Sequence, residues 1–230
     1  MVIESPLSAR VASEFVGSAA LVAVGVGSAV AGADFGTVAL AHGLVIAALL
    51  TATGHVSGGH FNPAITLSMV VFRLKSVAEG AWYLLAQLLG AWVGAAIVGV
   101  GLGVSGDDMA AAVPSLAEGQ EVFRAFVLVT VASFFFVWTV WGVGLDRDGA
   151  WFRVAGLPIG FAVTACILLL GPANGPALAT TRWFGPALYA NHWDHWYVWL
   201  LAPLAGGVLA AAAYLGTIKP RIGGTVQRVP

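Results

Sequence analysis

Residues 57–66 read SGGHFNPAIT, and the reading of this stretch decides the fold. Asn62-Pro63 is a helix start. An asparagine carbonyl accepts from the first free backbone N–H groups, and a proline at the first helical position gives up an N–H that no turn would use. The chain then runs apolar through ITLSMVVF at 65–72. That is too short to cross a bilayer, which takes about 20 residues. A short apolar helix of this kind has to be buried within protein at membrane depth, as a re-entrant segment is. The plainer alternative, a cap in a surface loop, calls for polar surroundings after Pro63, and the sequence has none. Such a half-helix turns its positive dipole end and the Asn62 amide toward the membrane interior, where both oppose cations, a hopping proton included.

The rest of the chain supplies the membrane. Of 230 residues, 59% are hydrophobic and 9% charged, with mean hydropathy +0.90. A soluble domain carries about 25% charged residues, so most of this surface faces something apolar. Six apolar stretches, near 11–31, 37–54, 79–104, 121–142, 154–171 and 196–216, approach or reach the length of a span. A second short segment, 179–190, is broken by glycine and proline like the first. The expectation is an all-α membrane protein of six transmembrane helices and two re-entrant half-helices. The 30 glycines suit close helix packing in lipid. No basic n-region and cleavage site precede the first apolar helix, so it is expected to remain in the mature protein.

Charge gives orientation. If six spans alternate, Arg10, Arg73, Lys75, Arg147, Arg153, Lys219, Arg221 and Arg228 share one side, and Asp34, Asp107, Asp108, Glu118 and Asp194 take the other. Only Arg124 and Arg182 break the basic sorting. The positive-inside rule then places both termini in the cytoplasm, in the plasma (inner) membrane. Each half reads span, span, half-span, span. The expected organisation is one channel domain over 1–230, with inverted repeats at 8–104 and 119–216 and a cytoplasmic tail at 217–230. The net charge of -1 gives no support to nucleic-acid binding. The single cysteine, Cys166, excludes an internal disulfide, and no Cys/His cluster suggests a metal site. No nucleophile, paired acid or nucleotide motif is present. The glycine runs at 24–28 and 99–106 lie in or beside spans and lack a strand-turn-helix context, so an enzyme is not expected and no cofactor is implied.

SGGHFNPAIT, with SEFVG at 13–17, AQLLGA at 86–91 and FGPALYANHWDHWYVWLLAP at 184–203, resembles the aquaporin and glycerol-facilitator family, the major intrinsic proteins. The resemblance covers nearly the whole chain. It implies a passive channel for water and for other small neutral solutes such as ammonia, working as a homotetramer in a lipid bilayer. It also implies that Asn62, Pro63 and Ala64 form the first of two motifs meeting at the midplane. The second motif departs from the family. Counting back from the GPA at 185–187, the family's Asn-Pro-Ala falls on Ala179, Thr180 and Thr181, with Arg182 retaining the arginine. A competing placement on Gly175-Pro176-Ala177 would put Leu178 where the arginine belongs. Members also carry a loop-holding glutamate in spans 1 and 4. Here Glu14 supplies the first, and the second position reads as Ala125 or a neighbour.

Ungapped counting from the two motifs places the family's four filter positions on His42, Ile167, Pro176 and Arg182. That set is similar to the filters of some plant vacuolar members. An imidazole within a span is expected to face a polar lumen, and an arginine repels cations while donating to neutral solutes. Ile167 supplies an apolar wall. Glu14 and His60 are expected to support the loop behind Asn62. His55 and His60 flank that loop without a converging carboxylate or thiolate, and His192 and His195 sit with Trp193 and Trp196 as an interfacial belt.

Overall fold

A computed structural model describes residues 5–145, 154–175 and 178–218. Among these the regular structure is helical: α1 (Leu7–Val30), α2 (Phe35–Ser57), α3 (Pro63–Val71), α4 (Val77–Leu102), α5 (Gly106–Ala111), α6 (Val122–Thr139), α7 (Gly156–Asn174), α8 (Thr180–Ala190) and α9 (Trp196–Thr217). A π-helical turn, Val140–Leu145, continues α6. Four of these helices start after a short polar residue. Asp34, Asn62 and Ser76 each accept from a backbone N–H one turn in or less, and Ser105 and Asp108 form a reciprocal capping box. Gly58 and Gly103, at φ 89° and 66°, close α2 and α4 in the left-handed region.

Among the described residues, five helices are long and apolar enough to cross a membrane: Leu7–Val30, Phe35–Ser57, Val77–Leu102, Val122–Leu145 and Trp196–Thr217. Their outer faces carry exposed Val16, Leu44, Leu89, Ile97, Phe123 and Leu209. Apolar spans with apolar outer faces make this an integral membrane protein. α7 is also apolar, but its backbone breaks at Gly171 (φ 61°), directly before Pro172, where a helical conformation is disfavoured. The two short helices, α3 of 9 and α8 of 11 residues, rise about 1.5 Å per residue. Each is thus about half the roughly 30 Å of a hydrocarbon core.

Packing is paired. α1 lies on α4, α6 on α9, and α2 on α7, while α3 seats on α9 and α8 on α4. Glycines permit these approaches. A Cβ at Gly90 would strike the Phe15 carbonyl of α1, and one at Gly206 would strike the Thr130 carbonyl of α6. A Cβ at Gly160 would stand 2.5 Å from the Gly43 carbonyl, so α2 and α7 meet almost backbone to backbone.

The apolar stretches read from sequence fall within a few residues of α1, α2, α4, α6, α7 and α9. α5 has no counterpart in that reading, although its Ser105…Asp108 box was there to be found. The basic residues Arg147, Arg153, Lys219, Arg221 and Arg228 lie outside the described residues, and so does most of the expected tail.

A candidate pore and its constriction

α2 ends in the Gly58-Gly59 turn, and the chain passes through Phe61, itself left-handed at φ 49°. A bulky residue tolerates that backbone only where its surroundings hold it. Here Gly17 makes room, since a Cβ there would overlap the Phe61 ring. Glu14 holds the loop. Its carboxylate, fully buried, accepts from the Ser57 hydroxyl (2.7 Å), the His60 N–H (2.9 Å), the Phe61 N–H (2.7 Å) and the Gln87 amide (2.7 Å). Gln87 also donates to Thr66 at 2.9 Å, and the His60 ring pairs with the same hydroxyl at 2.9 Å. The Tyr83 hydroxyl donates to the Ser57 carbonyl at 2.8 Å. The brace therefore draws on α1, α2, α3 and α4, and Asn62 at the start of α3 accepts from the Ala64 N–H at 2.9 Å.

The second half is built differently. α8 begins at Thr180 with Ala179 in the capping place, and no side chain caps it. The Thr180 hydroxyl is buried without a partner among the described residues, and the Thr181 hydroxyl donates to the Phe61 carbonyl at 3.3 Å. No acid stands in α6 at the expected Ala125 or one turn on at Val129. Val129 is fully buried.

Arg182, on the first turn of α8, is 1% exposed. Its Nε donates to Nε2 of His42 at 2.9 Å, and one terminal nitrogen donates to the Ala112 carbonyl at 2.9 Å. The other His42 nitrogen, Nδ1, faces the Val38 carbonyl at 2.7 Å and so carries the proton, leaving Nε2 to accept. Ile167 of α7 is buried on the same wall, beside buried Cys166. Pro176, the fourth expected filter residue, lies outside the described residues, as does Ala177 of the competing motif placement.

A cavity of about 760 Å³ passes these residues. It is lined at one end by Arg10, Leu74 and Lys75, then by Gly58–Asn62, then by His42, Ile167, Leu178, Ala179 and Arg182. Arg10 and Lys75 are drawn to one side by Glu79, each at 2.6 Å. A smaller cavity of about 280 Å³, lined by Ala29, Phe35, Val38, Ala112–Ser115, Gly175 and Arg182, approaches from the other end. Arg182 is the residue that the two linings share. Its contact with His42 therefore stands at the narrowing between them. The carboxylate brace, the cavity and the Arg182–His42 contact each join residues from both halves of the chain or from several helices.

The chain matches the family model described as major intrinsic protein over residues 2–214. It is 37% identical over 180 residues to Aquaporin TIP4-4 of Zea mays, covering 78% of this chain and 70% of that protein. It is 34% identical over 234 residues to Aquaporin TIP2-1 of the same organism, covering 94% and 89%. Among solved structures, the aquaglyceroporin from Plasmodium falciparum superposes with a TM-score of 0.82 at 22% identity, over 94% of this chain and 98% of that one, a likeness of fold. With these matches on top of its aquaporin-like helical architecture, the chain belongs to the major intrinsic protein family of membrane channels and is a transport protein, not an enzyme.

Proposed function

We propose that the chain is a passive water channel with six spans (α1, α2, α4, α6, α7 and α9), two re-entrant half-helices (α3 and α8) and both termini in the cytoplasm. In this reading residues 8–104 and 119–216 are inverted repeats, and the active form is a homotetramer with one pore per subunit. The observation that carries the proposal is one cavity lined by Asn62 at the start of α3, by Ala179 at the start of α8, and by His42 and Arg182. Water entering it meets the Asn62 amide, then the guanidinium N–H groups that His42 and Ala112 leave over. One or two hydrogen bonds replace its shell in bulk solvent. Among the described residues the cavity lining holds Arg10, Lys75 and Arg182 and no carboxylate, which opposes cation entry.

Osmotic shrinkage of proteoliposomes tests the proposal. Water permeability well above that of empty vesicles, without a proton leak, is expected. Permeability equal to empty vesicles would instead support a closed or structural member.

A second reading has its own observation. Leu178, Ala179 and Ile167 make one wall of the cavity apolar, a surface that suits ammonia as well as water. Faster internal alkalinisation of proteoliposomes in an ammonium gradient than of empty vesicles would establish ammonia as a second permeant. Equal rates would remove it.

A further inference from the structure

We infer that Gly25, in the glycine run of α1, is a positioning residue that sets the His42 ring at the constriction. This deepens the water-channel reading and rests on it. A Cβ built at Gly25 would stand 2.6 Å from Cδ2 and Cε1 of His42, and closer still to Nε2. Nε2 is the atom that accepts from Arg182. The face of α1 without a side chain is thus the bed on which the accepting edge of the imidazole lies. On the ring's other side, Nδ1 is anchored to Val38 within α2 itself. The ring is held from behind by its own helix and admitted in front by Gly25, and these two contacts leave it one place from which to meet Arg182.

The backbone at Gly25 gives no other reason for glycine. It lies inside α1 with no left-handed φ, where alanine is the better helix former. Its neighbour in the run differs. A Cβ at Gly27 would meet only Val98, at 3.4 Å, an ordinary contact. A methyl at position 25 must push the ring away from α1, and Nε2 then leaves Arg182 or carries it into the passage. Either outcome changes what the constriction admits, with no alteration to any residue that lines it.

The test is a double-mutant cycle in proteoliposomes. It compares wild type, Gly25→Ala, His42→Ala and the double variant, with Gly101→Ala as a control, since a Cβ at Gly101 meets nothing within 4 Å. Water permeability and the water-to-ammonia ratio are read together with the unfolding temperature in detergent. We expect Gly25→Ala to lower water permeability fivefold or more and to shift the ratio. In the His42→Ala background, where the ring is gone, the same alanine should change neither. A Gly25→Ala protein that fails to fold while the double variant folds would support the same conclusion. The inference is overturned if Gly25→Ala behaves as wild type, if it loses as much in the His42→Ala background, or if the double variant also fails to fold. If wild type conducts no water at all, the channel reading fails, and the unfolding temperatures still decide the positioning role. A drop caused by Gly25→Ala that vanishes without His42 supports it, and an equal drop in both backgrounds rules it out.

Discussion

Glu14 shows how much one side chain settles. Four donors end on its carboxylate, two of them backbone N–H groups of the loop before Asn62. A buried donor left without a partner costs about 1–3 kcal/mol. Glu14→Ala is expected to lower stability by at least about 3 kcal/mol by that estimate, seen as loss of monodisperse protein in size-exclusion chromatography, with Glu14→Gln milder because one acceptor oxygen remains. An alanine variant that purifies and conducts like wild type would refute the brace. The sequence sets Glu14 inside an apolar run and the family resemblance makes it a loop holder, but the individual donors are not legible, because they come from 57, 60, 61 and 87. The same limit applies to Arg182. The family's motif spacing proposes a filter position for it, whereas its bond to the Ala112 carbonyl is not legible in the sequence, since any residue type supplies a carbonyl.

The two short helices, α3 and α8, differ as elements. α3 has the Asn62 cap, and α8 starts on Ala179 with none. A cap of this type is worth about 1 kcal/mol, so Ala179→Asn is expected to stabilise the first turn of α8. Hydrogen exchange of the amides just inside that turn should slow several-fold, and unchanged exchange would show that the new side chain does not cap. α2 offers a check outside the membrane. Asp34 accepts from the hydroxyl (2.5 Å) and N–H (3.0 Å) of Thr37, and these bonds, the hydroxyl first, hold its carboxyl below the ordinary 3.8. A depressed acid stabilises the folded form above its unfolded pKa and loses that contribution as pH falls through its folded value. Fraying at the start of α2 is therefore expected only on acidification below the usual carboxylate range, and Asp34→Ala should fray it at every pH. Circular dichroism of a peptide spanning the cap reads both, and equal helicity for the two sequences at neutral pH would contradict it. The spans were legible from hydropathy. A counterpart of Glu14 in the second half was not, because no acid lies in α6 to mark it.

Over the whole molecule, a helical bundle meets lipid with apolar side chains and encloses a cavity narrowed by Arg182 and His42. Its fold was legible because membrane burial leaves long apolar runs, and because Asn62-Pro63 marks a helix start in the midst of them. The narrowing was legible only as a set of positions. Which atoms touch there depends on Gly25 and on a loop carbonyl, neither of which has a sequence signature. Orientation is open to a direct check: cysteines placed at 107–118 should react from the side opposite one at Arg73, and labelling from the same side would overturn the six-span topology. The central claim is that this passage takes water and turns away a larger polyol. Glycerol would need several hydroxyls satisfied at once against Ile167 and Ala179, and each left unpaired costs about 1–3 kcal/mol, or about fivefold or more in passage. Light scattering of the same proteoliposomes under a sucrose gradient and then a glycerol gradient measures this most directly. Fast water-driven shrinkage is expected, with glycerol uptake close to that of empty vesicles. Glycerol uptake as fast as the shrinkage would contradict it.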